Sequence, residues 1–153
     1  MTWRSGAAIV VASLLSWPGA ASPVQNPLEA VKSLKCAFSV YAIGTWQSAE
    51  ARAEVKTGKL SVAFDSIDTQ DGTADAIGAY GPMHIVVRYT ASTLHFIQVA
   101  STSGALYVTT VFPKETSPGK RLAVHSRHEY TSVALPGFTS RPEQYYGECE
   151  IQP

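Results

Sequence analysis

The chain has 153 residues, with 12 Lys+Arg balanced by 12 Asp+Glu and only two cysteines. That length supports one domain with a real hydrophobic core. The even charge balance, with no run of five like charges, excludes the electrostatic footprint of a nucleic-acid binder or of a protein that coats an anionic membrane.

The first residues read as a secretory signal. Arg4 supplies the positive start, Ala7–Leu15 an apolar run, and Pro18-Gly19 a helix break before Ala20-Ala21-Ser22. The run is shorter than the roughly 20 apolar residues a membrane span needs. Cleavage after Ala21 leaves 153 − 21 = 132 residues, of net charge 11 − 12 = −1 once Arg4 is lost. The expected organisation is a signal peptide over 1–21, a leader over 22–33, and one domain over 34–153, exported to the periplasm or the medium. In that oxidising compartment Cys36 and Cys149 are expected to pair. The bridge would bring the first and last strands together, as a sheet closing on itself requires.

Asn26-Pro27 caps a possible helical turn over Leu28–Ser33. Strand patterns follow. Lys35–Ile43 is rich in β-formers, with Cys36, Phe38, Val40 and Ala42 assigned to one face. Ser48–Lys56 is the one candidate helix. Leu60, Val62 and Phe64 alternate with Ser61, Ala63 and Asp65, and Asp71-Gly72 marks a turn before Thr73–Tyr80. Gly81-Pro82 ends that strand. Met83–Thr90 and Leu94–Val99 flank a hairpin connection at Ala91-Ser92-Thr93, and Ser103-Gly104 turns the chain into Ala105–Phe112. Arg121–Tyr130 and Gln144–Ile151 complete the series. Turn signals every 8–15 residues place the chain in the all-β class: a mostly antiparallel barrel or sandwich of 8–10 strands, its terminal strands joined by Cys36–Cys149. The tied ends favour the barrel.

His125-Ser126-Arg127-His128-Glu129 is the densest polar cluster, and two histidines with a carboxylate are ligand and proton-carrier chemistry. On a strand, however, positions three apart face opposite ways. A metal-dependent or hydrolytic enzyme built on His125, His128 and Glu129 therefore needs a bulge or turn between the histidines. Arg127 and Glu129 share a face and fit a polar patch. The four aspartates, Asp65, Asp68, Asp71 and Asp75, offer oxygen ligands, but their spacing is not that of an EF-hand and fits turn chemistry better. No nucleophile elbow, phosphate-cradling glycine loop or zinc spacing is present. The sequence indicates no cofactor, no resident metal and no catalytic residue. Trp46 and the Tyr145-Tyr146 pair are the aromatics suited to a barrel-mouth pocket or a sugar platform. With Arg127 and His128 they form the candidate ligand-binding set.

Gly44-Thr45-Trp46 resembles the Gly-x-Trp of lipocalins, although the strong strand precedes the motif and no second lipocalin motif follows. The likeness implies a calycin-like barrel. Leu34-Lys35-Cys36, Phe64–Asp68, Gly72-Thr73-Ala74, Leu94–Ile97, Thr109–Phe112, Ala123–His128 and Tyr145–Cys149 together resemble a set of small exported bacterial proteins of uncharacterised function. That resemblance implies an exported bacterial domain and carries no activity with it. The expected role is a non-enzymatic binding or accessory module for a small apolar molecule, a glycan or a protein. A structural or inhibitory interaction domain is the further alternative, and the oligomeric state is left open.

Overall fold

The computed structural model describes residues 26–101, 103–129 and 141–153. The signal-peptide expectation lies outside them. Eight strands follow one another: β1 (Leu34–Gln47), β2 (Glu50–Asp68), β3 (Thr73–Gly78), β4 (Gly81–Thr90), β5 (Thr93–Val99), β6 (Leu106–Ser117), β7 (Lys120–His128) and β8 (Glu143–Ile151). Each pairs antiparallel with the next, and β8 returns to pair with β1, closing a barrel. Cys36 and Cys149 face one another across that seam, 3.9 Å apart at Cα, and are bridged. Among the described residues no helix is long and apolar enough to cross a membrane.

The two ends of the barrel differ. At the end where β1 begins, Leu34, Ile67, Val87, Leu94 and Val111 fill the interior, and Phe64 stacks on Phe96 at 3.9 Å between ring centroids. Leu28 and Val31, in the segment before β1, are buried against this core and plug the opening. Asn26 starts that plug: its side-chain oxygen accepts from the Leu28 amide at 3.0 Å and its carbonyl from the Glu29 amide at 2.9 Å. Further bonds hold it in place, from Ile67 N to the Lys32 carbonyl (3.1 Å) and from Thr69 Oγ1 to the Glu29 carbonyl (2.7 Å). The expected helical turn over Leu28–Ser33 is instead a short Asn-capped turn over 27–30, followed by an extended 31–33 that enters β1.

Three other expectations are corrected. Ser48–Lys56 is no helix: it turns at Ser48-Ala49 and runs on as β2, paired with β1 from Gln47↔Glu50 to Tyr41↔Lys56. Ser48 and Ala49 both take positive φ (49° and 71°), the signature of a two-residue hairpin turn whose twist matches its strands. In β1, Ser39 is an extra residue relative to β8, at a bulge between Phe38 and Val40, while on the β2 side Gly58 and Lys59 stand opposite it. The alternation therefore flips: Tyr41, not Val40 or Ala42, follows Phe38 into the interior, where it packs on the core. Gly147 lies beneath this bulge, with the β1 backbone at Ala37 and Phe38 occupying the space a Cβ would need. The Thr73–Tyr80 strand stops at Gly78, and Gly81-Pro82 opens β4 rather than closing β3.

Candidate functional site

Period-two parity carries the chemistry into the other end of the barrel. Counting back from the buried Cys149, β8 turns Gly147, Tyr145 and Glu143 inward, while β7 turns Ala123, His125 and Arg127 inward. Register then builds two rows across four strands. Thr109, His125, Tyr145 and Tyr41 are successive cross-strand partners, and one step nearer the mouth so are Tyr107, Arg127, Glu143 and Ile43.

The deeper row is tightly bonded. His125 Nδ1 and Thr109 Oγ1 share a 2.8 Å hydrogen bond in the buried interior. The imidazole lies among the rings of Phe38 (5.9 Å), Tyr145 (6.1 Å) and Tyr107 (6.3 Å). Burial, aided by the neighbouring Arg127 cation, lowers its pKa to about 4, so it is neutral throughout the physiological range. Tyr41 stacks on Tyr145 at 5.1 Å.

The row at the mouth is ionic. The Tyr145 hydroxyl donates to Glu143 Oε2 at 2.6 Å, and burial together with that bond pushes its pKa up to about 12. The Arg127 guanidinium carbon stands 5.4 Å from the Tyr145 ring centroid, and its Nη1 3.9 Å from Glu143 Oε2. The Glu143 side chain is only 9% exposed and that of Arg127 27%, so the cation is the more exposed member of the pair. Tyr107 has a raised pKa, first through burial and then through the Glu129 carboxylate, to which it hydrogen-bonds. Arg127 and Glu129 thus both act on the Tyr107 hydroxyl, the cation lowering and the carboxylate raising its pKa.

Two clefts flank the mouth. One of about 260 Å³ is lined by Gly44, Ser126, Arg127, His128, Glu143 and Gln144. The other, of about 300 Å³, is lined by Val62, Ile77, Tyr80, Met83 and Gln98 on β2–β5. In an eight-stranded ring β3–β4 stand opposite β7–β8, so the apolar cleft and the cationic–aromatic cluster lie on opposite sides of the barrel. A larger groove of about 660 Å³ runs along the outer wall past Ala37, Ser39, Leu122, Tyr146 and Glu148.

Of the sequence-derived set, Arg127 and Tyr145 come together inside the mouth. His128 is exposed on the outer face and joins Arg127 only at the rim of the smaller cleft. Tyr146 is 43% exposed in the outer groove, its hydroxyl donating to Gln144 at 2.9 Å. Trp46 is 55% exposed on the β1–β2 hairpin, beyond the barrel wall. His125 and His128 diverge, one buried inside and one outside, so they do not converge on one ion. Among the described residues no group of three or more His, Cys, Asp or Glu side chains is placed to hold a metal. The aspartates have other work. Asp68 accepts from the Gln70 and Asp71 amides at 2.8 and 2.9 Å, which lowers its pKa, and Asp75 meets His84 at 3.0 Å.

Sequence reasoning did not single out Glu143, Tyr107, Thr109 or Tyr41. For Glu143 a signal existed, since it lies six residues before Cys149 and shares its face; Tyr41 was hidden by the bulge. No family model, no curated protein and no solved structure matches this chain.

Proposed function

We propose that the chain is an exported, non-enzymatic binding module that takes a small amphipathic molecule at the barrel mouth. One observation carries the reading: a partly exposed guanidinium over the Tyr145 ring, backed by a buried carboxylate, on the side of the barrel opposite an apolar cleft. Closed eight-stranded barrels are suited to this, because the closed end is filled by side chains while the mouth is left for one small ligand. The polar end of the ligand would meet Arg127 and Tyr145, and its apolar body the inward side of the cleft at Val62, Ala76 and Met83. Export is supported by the amino-terminal pattern and by the disulfide, which persists in oxidising compartments.

The residues present favour binding over catalysis. Thr109 and His125 have the spacing of a nucleophile and its base. Yet an imidazole with a pKa of about 4 is a weak base near neutrality, and burial and a cation, rather than an orienting carboxylate, set its state.

The test is to compare native and denatured masses of protein purified from the periplasm or medium. A non-covalent excess of a few hundred daltons that falls away in Arg127→Gln and in Met83→Glu is the expected result. A bare native mass, or an excess indifferent to both substitutions, refutes the assignment.

A further inference from the structure

β2 is 19 residues long, yet it meets β3 only from Ala63 onward. Over residues 50–62 one side is bonded to β1, and among the described residues no strand occupies the other. The chain from Glu50 to Thr57 is exposed throughout. An open edge of this length is a template for pairing with another strand.

Its side chains identify the partner. Glu50, Arg52, Glu54 and Lys56 share one face; Ala51, Ala53, Val55 and Thr57 share the other. Two copies laid antiparallel, with Ala53 opposite Ala53, set Glu50 against Lys56, Arg52 against Glu54 and Ala51 against Val55, each twice by symmetry. Slipping this register by two residues in one direction places Arg52 opposite Arg52. Slipping it in the other places Glu54 opposite Glu54 and Arg52 opposite Lys56. A one-residue slip sets the charged face against the apolar one. Four-residue slips, centred on Ala51 or Val55, keep one opposite-charge pair, formed twice. The Ala53-centred register forms two such pairs, each twice, and is the most complementary, since cross-strand opposite charges are favourable where like charges are not.

The apolar face agrees. Trp46 is the β1 partner of Ala51, and the joined sheet puts Val55 of the second copy on the far side of that alanine. Two exposed apolar side chains, Trp46 at 55% and Val55 at 74%, then fall in one row. Within one chain these charges pair along the strand, Glu50 with Arg52 at 3.7 Å and Glu54 with Lys56 at 2.8 Å.

We infer that this chain forms a two-fold dimer by antiparallel pairing of the free β2 edge, Glu50–Lys56, with the same edge of a second copy. Such an interface is isologous and closes on itself, so it ends at two chains rather than growing into fibres.

Sedimentation equilibrium of the mature, disulfide-bonded protein tests it. Wild type is expected to show a concentration-dependent monomer–dimer equilibrium. Arg52→Glu and Glu54→Arg, each measured alone, are expected to weaken it on the order of tenfold or more. An equimolar mixture of the two variants is expected to restore the dimer, because every reversed charge then meets its opposite on the other chain. Independently, Ala53→Cys, on the two-fold axis, is expected to oxidise to a linked dimer and Thr57→Cys is not. A wild-type monomer at about 1 mM, where association contributes only about 4 kcal/mol, overturns the proposal. So does a mixture no tighter than its components, or equal cross-linking at positions 53 and 57.

Discussion

Replacing His125 by glutamine tests the electrostatics of the barrel interior. The imidazole is neutral in the folded protein down to about pH 4, but in the unfolded chain it takes up a proton near pH 6.5. The folded pKa is the lower of the two. Above pH 6.5 both states are neutral and His125 contributes no pH dependence. As the pH falls from 6.5 towards 4 the unfolded state binds a proton the native state refuses, so stability declines; below about 4 both states are protonated and the loss is complete. At 1.36 kcal/mol per unit, the penalty reaches about 2 kcal/mol at pH 5 and about 3 kcal/mol once the folded pKa is passed.

The assay is urea unfolding at a series of pH values between 7.5 and 4 for wild type and His125→Gln. Glutamine keeps a hydrogen-bonding group opposite Thr109 and does not titrate. The variant loses ring packing at every pH, so the informative quantity is the stability gap between the two proteins. That gap is expected to shrink by about 2 kcal/mol between pH 7.5 and pH 5. Asp68 and Glu148, whose folded pKa values are lowered, contribute stability above their unfolded values and lose it as the pH falls through the lowered ones. Their contribution belongs to a more acidic window and is common to both proteins. A gap that stays constant from pH 7.5 to pH 5 refutes the claim that His125 is buried in its neutral form.

Three further changes probe closure of the barrel. Replacing Cys36 and Cys149 together by alanine opens a bridge spanning 113 residues and is expected to cost about 4–5 kcal/mol in urea unfolding, if the chain-entropy account holds; a loss under about 1 kcal/mol shows that hydrogen bonding alone closes the seam. Gly147→Ala drives a Cβ into the Ala37 carbonyl and to 2.7 Å from the Phe38 Cα, so a loss of about 1–3 kcal/mol in thermal unfolding is expected, and an unchanged Tm disproves the close approach. Ala91 and Ser92 both take positive φ (47° and 65°) in the β4–β5 turn, and Ala91→Asn with Ser92→Gly is expected to raise stability by about 1 kcal/mol; no gain argues against that turn type.

How far the sequence reveals the fold depends on the source of each signal. Strand spacing and the two cysteines were enough for an all-β, mostly antiparallel barrel or sandwich with tied ends, because turn chemistry is local and a bridge between terminal strands is a topological constraint. The Asp68 turn was legible for the same reason: an aspartate side chain bonds amides two and three residues on wherever the chain lies. The bulge at Ser39 was not. It arises from long-range pairing with β2 and β8, and one inserted residue reassigns every side chain after it. That single event turns Tyr41 into the deeper row beside Tyr145 and explains why Tyr41 was missed; Glu143 shares the face of Cys149 and was legible by parity along β8.

The arm between Ser48 and Lys56 shows how propensity misleads. Alanine, glutamate, arginine and lysine are good helix formers, so composition favours a helix. But Glu50-Ala51-Arg52-Ala53-Glu54-Val55-Lys56 also alternates strictly, and no apolar stripe recurs at helical spacing. An isolated helix of nine residues is marginal in water, whereas the same residues as a strand complete a ladder with β1 over its full length. Period decides over propensity here because β1 offers hydrogen bonds and a helix in this place would have nothing to pack against. The alternation that specifies the strand also makes its free edge complementary to itself, so one pattern underlies both the local fold and the proposed assembly.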